Sequence, residues 1–313
     1  GLIRVEWAQL EPRPGVFDFS AIEKKLALLP AGKKWSLAVH GGWTSVDQND
    51  PQLYDGSTYP NGKPRATIAL SMSPSWLVND FNVETFAMDF RGVTVQMPAY
   101  WDPQVQVRLS VLMDVLAKKY NTDTNLQLVY VPQMTSNGIE GHFNGVPDSV
   151  LLSAAHISGT GSEAKKEFAI KWVKASLDAS LAVAQAFNTK AVAFEVHELF
   201  GEASIPKTIM DKFLTDPRFE NRAGVAMWWI SGEEGYQPQL VAYIKNYTGD
   251  VYGQVIGNSQ QSNRYPNGDY RAVFIQAEEL CMRYIEPWNY EFENNTYTAT
   301  MLDFNEYAKN HFQ

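Results

Sequence analysis

Apolar positions along the chain recur in two rhythms, a period near two over short runs and a period near 3.6 over longer ones. Residues 2–7 (Leu-Ile-Arg-Val-Glu-Trp) set Ile3 and Val5 on one face and Arg4 and Glu6 on the other, which predicts a strand whose polar side would turn into a barrel. Further strands are predicted at 35–40, from Leu126 onward, and at 191–197, 223–230, 251–256 and 282–286. Within 191–197, Val192, Phe194 and Val196 alternate with Ala193, Glu195 and His197. Helical spacing marks 20–29, with Ser20 as N-cap and Glu23 three residues on, and then 104–120, 162–187 and 270–281. Seven strand–helix units with no linker, repeat or low-complexity stretch predict a parallel sheet. A covered interior favours an α/β barrel of the TIM type, with about seven strands, over an open sheet. The chain is read as a single domain, 1–313, a length ordinary for such a barrel with insertions. One insertion, 44–102, is rich in Gly, Pro, Asn, Asp and Ser and is expected to cover the mouth where the strands end.

Composition narrows the function. Hydrophobic residues make up 45% and charged residues 19% of the chain, enough for a sizeable core. No apolar run is long enough to cross a bilayer, so a soluble protein without a membrane partner is expected. Its compartment, secreted or cytoplasmic, stays open, and Gly1 opens the chain with no charged-then-apolar leader, so that an export signal is either removed or was never present. Net charge −9 and pI ≈ 5.1 leave no basic stripe for a phosphate backbone, which excludes nucleic acid and favours a neutral ligand. The 9 Trp and 15 Tyr suit the apolar faces of sugar rings as well as they suit a core. Cys281 stands alone, so there is no intrachain disulfide and no case for a catalytic thiol. Gly41-Gly42 and Gly138 match no nucleotide-binding pattern, and no cofactor is expected.

The order Trp7, Leu10-Glu11-Pro12, Pro14-Gly15 and Phe17-Asp18-Phe19-Ser20 resembles a segment that follows the second strand in many (β/α)-barrel glycoside hydrolases, the clan with β-galactosidase-like and endoglucanase families. Ser73-Pro74-Ser75-Trp76-Leu77 and Pro98-Ala99-Tyr100-Trp101-Asp102-Pro103 resemble the loop after the third strand in the same proteins, and Tyr284-Ile285-Glu286-Pro287-Trp288 resembles their last strand. The resemblance implies that the first barrel strand is missing or replaced, hence a truncated barrel. It also implies an oligo- or polysaccharide substrate, a two-carboxylate mechanism and an acid/base Glu at the end of the fourth strand. Glu140, in Asn137-Gly138-Ile139-Glu140-Gly141, occupies that place, although the clan has Asn directly before its Glu and here Ile139 stands there. The clan's nucleophile ends the seventh strand, where this chain reads Val251-Tyr252-Gly253-Gln254-Val255-Ile256 with no carboxylate.

Glycosidic hydrolysis needs one protonated and one ionised carboxyl. Glu140 is the candidate acid, and its partner is sought among Glu195, Glu198 and Glu286, with Glu198 first and Glu286 second; Glu195 shares a face with His197 and could instead be a buried, paired structural group. His40, His142 and His197 lie at three strand ends as groups that could orient carboxylates or bind sugar hydroxyls, and Trp76, Trp101, Trp228 and Trp288 are candidate stacking platforms. Trp228 and Trp229 point oppositely on a strand, so at most one faces the mouth. The expected function is hydrolysis of a neutral β-linked glycan, β-glucan before β-galactoside. A catalytically silent carbohydrate-binding barrel and a metal-dependent hydrolase built on His40, His197 and Glu198 are the alternatives. The second of these lacks the His-Glu-x-x-His spacing of a zinc helix.

Overall fold

The computed structural model describes residues 1–143 and 145–312. In chain order its strands are β1 (Leu2–Glu6), β2 (Trp35–His40), β3 (Ser45–Val46), β4 (Tyr54–Thr58), β5 (Pro64–Ala66), β6 (Thr85–Phe90), β7 (Val93–Pro98), β8 (Leu126–Tyr130), β9 (Ala191–Glu195), β10 (Ala223–Ile230), β11 (Val251–Val255) and β12 (Met282–Glu286). Seven of them form one parallel sheet in the order β1-β2-β8-β9-β10-β11-β12. Every strand thus pairs with its neighbour in the strand–helix series, which is the connectivity of a (β/α) barrel.

The sheet curls. Ser36 Oγ on β2 donates to Glu286 Oε1 on β12 at 2.6 Å, yet these strands are five places apart and in a flat sheet would lie about 24 Å from each other. The Arg4 guanidinium on β1 likewise lies 4.8 Å from the ring centre of Trp228 on β10. Among the described residues no ladder joins β12 to β1, so the barrel is incomplete, open along one seam. Curling divides the apolar side chains into two cores. Ile3, Val5, Leu37, Val39, Val192 and Phe194 face the surrounding helices, whereas Ala38, Leu128, Tyr130, Ala193, Ala226, Trp228 and Tyr252 fill the interior. The alternation seen in 2–7 therefore holds, with Arg4 on the inner side.

The helices follow their local signals. Asp102 caps the helix Pro103–Tyr120 by accepting the Gln104 N–H at 2.7 Å, with Pro103 in the first turn where it has no amide proton to waste. Val105, Leu109, Leu112, Met113, Leu116 and Tyr120 form its buried stripe. The N-cap expected of Ser20 falls elsewhere: the helix runs Ser20–Leu26, and Asp18 accepts the Ser20 N–H at 2.8 Å, because the Asx turn places its acceptor two residues earlier.

The segment 44–102 carries structure of its own, a three-stranded antiparallel sheet β3-β7-β6 and the hairpin β4-β5. It is moored to the strand ends of the barrel. Met72 N–H donates to Trp43 O at 2.8 Å, and Tyr100 O–H donates to Pro132 O at 2.9 Å.

Candidate active site

The loop after β8 is built to lie flat on the strand ends. Gly138 has φ +82°, and a Cβ there would sit 2.8 Å from Gly41 N and 2.9 Å from His40 Cα, so a side chain would be both strained and obstructed. Its carbonyl accepts the N–H groups of Gln133 at 2.9 Å and Gly41 at 3.1 Å, tying the loop to the end of β2. Ile139 then turns down into the inner core with no exposed surface. Asn137 Oδ1 accepts the N–H groups of Ile139 at 3.1 Å and Glu140 at 2.8 Å. An asparagine thus holds Glu140 through its backbone, three residues back.

Glu140 emerges beside the mouth with its side chain 20% exposed and Oε2 3.0 Å from His142 Nε2. On the neighbouring strand Glu195 is fully buried. Its Oε2 accepts the Gly141 N–H at 2.7 Å and lies 2.9 Å from His197 Nδ1, and its Oε1 accepts the Trp228 N–H at 3.2 Å. Burial first, and the charge of Glu140 second, push the Glu195 carboxyl well above the usual carboxylate range, while the Gly141 and Trp228 amides pull the other way. Burial also lowers His197 to about 3 and His40 to about 3, so both imidazoles are neutral at ordinary pH. The rings of His142 and His197 meet edge to face, 4.7 Å between centres. Glu198 follows at the rim, half-buried, its N–H donating to Gln237 Oε1 at 2.5 Å.

Two of the sequence-predicted groups therefore come together with Glu140, His142 directly and His197 through its ring contact with His142, and Glu198 stands next to His197. Others do not. Glu286 lies inside the barrel, 6% exposed, bonded to Ser36 and 3.4 Å from Gln254 Nε2. Burial raises its carboxyl, and the Ser36 hydroxyl and the Arg4 charge hold that rise back. Its neighbours are thus other groups of the barrel interior, and none of its hydrogen bonds reaches Glu140 or His142.

Trp76 is corrected from platform to core. It is 5% exposed, donates Nε1–H to Glu11 O at 2.8 Å and packs edge-on against Trp7 and Phe81. Trp228 is also enclosed, inside the barrel between Arg4, Tyr130 and His40. As expected it points opposite to Trp229, which belongs to the outer core. Trp101 stacks on Phe86 and lines an outer cleft of about 520 Å³ with Glu84, His156 and Lys171, apart from the strand-end carboxyls. Trp288 keeps an open ring, 42% exposed, with Nε1–H anchored on Val255 O at 2.7 Å at the end of β11. His40 stands at the end of β2 over Trp228, its Nε2 without a hydrogen bond among the described residues.

Among the described residues no three His, Cys, Asp or Glu side chains are grouped as a metal ion would need. His40, His197 and Glu198 accordingly do not form a ligand set, since His197 is turned toward Glu195. Glu195, one of the three possible partners of Glu140, is buried and paired with His197. A signal for it exists in the repeated Glu-x-His spacing, Glu140-Gly-His142 and Glu195-Val-His197.

No protein-family model and no curated protein sequence matches the chain. Solved structures of the same fold do. Endo-glycoceramidase II from Rhodococcus sp., as its lactosyl-enzyme intermediate, superposes with TM-score 0.50 at 12% identity over 92% of this chain and 64% of that one. A β-galactosidase from the psychrophilic Marinomonas ef1 gives TM-score 0.50 at 11% identity over 92% of this chain and 49% of that one. The chain thus spans less than two thirds of the length of either. At such identities the likeness is one of fold, and it agrees with the incomplete (β/α) barrel described above.

Proposed function

We propose that the protein is a glycoside hydrolase that cleaves a β-linked neutral glycan, with Glu140 as general acid and Glu198 as the second carboxylate. The observation that carries the proposal is the setting of Glu140. It is a partly exposed carboxyl on the loop after β8, held at its backbone by Asn137 and at its oxygen by His142. A positioned acid within reach of a leaving oxygen supplies on the order of 10²–10⁴ in rate. Glu198 supports the second role because it sits half-exposed at the adjoining strand end with its backbone, not its carboxylate, occupied by Gln237. Glu286 is the runner-up, since it is buried and its carboxyl is already engaged by Ser36 and Gln254. Negative net charge and the open ring of Trp288 favour a neutral sugar. β-Glucan comes first; the lactosyl-enzyme and β-galactosidase among the fold neighbours make a β-galactoside the substrate to run beside it.

One observation favours a silent carbohydrate-binding barrel instead: β11 brings Gln254, not a carboxylate, into the interior. Reducing-sugar release from a panel of β-glucans, mannans, xylans and galactans, with and without chelator, separates the two. The hydrolase shows chelator-resistant release that falls about 10²-fold or more in Glu140→Gln with the melting temperature preserved. Azide rescue of Glu198→Ala on an activated substrate assigns the nucleophile; rescue at Glu286→Ala alone would transfer that role. Sugar affinity without turnover would establish the silent barrel.

A further inference from the structure

Tyr236 has no part in the site described so far, yet it ends a series of contacts that begins at Glu140. Glu140 Oε2 lies 3.0 Å from His142 Nε2, the His142 and His197 rings meet at 4.7 Å between centres, and the Tyr236 ring centre stands 6.4 Å from that of His197. His197 is buried and Glu140 and His142 are partly so, whereas Tyr236 is 44% exposed. We propose that Tyr236 is a sugar platform, which holds the pyranose unit adjoining the cleaved bond and so fits the protein to a chain of β-linked neutral sugars. Its place beside the cleaved bond rests on the assignment of Glu140 and Glu198 above.

The loop 231–237 after β10 is built to hold this ring still. At its start Gly232 has φ +83°, and a Cβ there would stand 2.6 Å from Ala272 Cβ and 2.7 Å from Ala272 C, so only glycine lets the loop lie on the helix Arg271–Glu279. Gln276 of that helix, itself buried, clasps the turn: its Oε1 accepts the Gly232 N–H at 2.8 Å and its Nε2 donates to Glu233 O at 3.1 Å. At the far end Gln237 is left-handed at φ 49° and ψ 53°, a conformation that costs a residue with a Cβ and persists where the surroundings impose it. The imposing contact is its Oε1, which accepts the Glu198 N–H at 2.5 Å. The residue that sets the Tyr236 backbone is thus the one that holds the backbone of the second carboxylate.

The ring itself is fixed edgewise. Its centre lies 5.2 Å from that of Trp229 at an interplanar angle of 77°, and Trp229 is buried with Nε1–H on Val196 O at 3.1 Å. A tyrosine so held and open to water presents a flat apolar surface with a polar tip, the complement of a pyranose, which has C–H faces and a rim of hydroxyls. Glu233 and Glu234, exposed on the same loop, supply acceptors for those hydroxyls. The net charge of −9 disfavours an anionic ligand in their place.

The test is calorimetric titration of cellotetraose and of β-1,4-galactotetraose into the intact chain carrying Glu140→Gln, alone and combined with Tyr236→Ala, Tyr236→Leu or Tyr236→Phe. At least one tetraose should bind, about tenfold or more weakly with alanine or leucine at 236 and nearly as in the parent with phenylalanine, which keeps the ring. Leucine keeps apolar bulk without a flat face, so the result is read even if the alanine variant melts early. Tyr59→Ala, an equally exposed ring on the hairpin β4-β5, is the control and should leave affinity as it was. In the chain with Glu140 intact, Tyr236→Ala should raise KM about tenfold and leave kcat within a few-fold, because the ring touches a neighbouring sugar and not the reacting atoms. Affinity unaltered by alanine and leucine, a loss that phenylalanine does not regain, or binding of neither tetraose would overturn the platform. Turnover lost in Glu140→Gln with affinity indifferent to Tyr236 would refute the platform and leave the hydrolase standing; affinity that depends on Tyr236 in a chain that cleaves nothing would refute the hydrolase and leave the platform.

Discussion

Replacing Arg108 by Met tests the buried ion pair that anchors the segment following β1. Glu11 is fully buried, and its carboxylate is met by Arg108 Nη2, Trp7 Nε1–H at 3.0 Å and Gly15 N–H at 2.9 Å. The guanidinium also lies 5.1 Å from the ring centre of Trp76 and 5.4 Å from that of Phe81. Methionine retains much of the stem's volume and deletes the charge, so Glu11 keeps two neutral donors and loses its counter-ion. Breaking a buried pair in this way costs about 3–5 kcal/mol, which at about 2 °C per kcal/mol lowers Tm by roughly 6–10 °C. The double variant Arg108→Met with Glu11→Gln removes both charges and should regain most of that loss, because such pairs owe little net stability to their charges. Lys166→Met, which breaks the exposed pair with Glu163, serves as the control and should leave Tm nearly unchanged, because water screens such a pair. Melts followed by tryptophan fluorescence and near-UV circular dichroism read all three. A shift in Arg108→Met no larger than in the control, or a double variant no more stable than the single, would refute the reasoning.

Two further outcomes are expected. The folded-state pKa of Glu286 is raised above its ordinary 4.5, so the folded state binds the extra proton and stability falls as pH rises from about that value; Glu286→Gln, which stays neutral, should gain in Tm over the wild type between pH 5 and 8 and not at pH 4, as a pH series of melts will show. In Gly41→Ala the new Cβ would stand 2.4 Å from Gln133 O, backbone that cannot step aside; the Glu140 loop should be displaced and reducing-sugar release lost, against little change for alanine at Gly235, where nothing lies within 4 Å.

What the chain discloses about itself depends on how local the cause is. Strand positions follow from alternation and β-branched content within a few residues, so β1, β2 and β10 fall where the pattern puts them, and β10, buried along all eight residues, reads as an unbroken apolar run. The incomplete barrel was also legible, because the Leu-Glu-Pro segment sits directly after the first strand. That same segment shows the limit of motif transfer. Trp76 is a candidate sugar platform by its sequence, yet Trp7, Gly15, Arg108 and Trp76 all converge on Glu11 to hold the chain where it leaves β1. A motif can persist because it builds a corner, and a tryptophan in it then marks packing.

Glu195 is legible only in part. Alternation placed it on the inner face, but its meaning depends on Gly141, 54 residues earlier, arriving within 2.7 Å. Sequence spacing has no access to that distance, since it is set by the loop after β8 folding back across two strand ends under the constraint of Gly138 and Ile139. The same applies to Glu286. Its place in the last strand suggested the mouth, whereas the tilt of the strands in a curled sheet carries the end of β12 around to Ser36 near the start of β2. Which carboxyls share a site in this protein is therefore decided by the curling of the sheet, and the local pattern decides only which of them face inward.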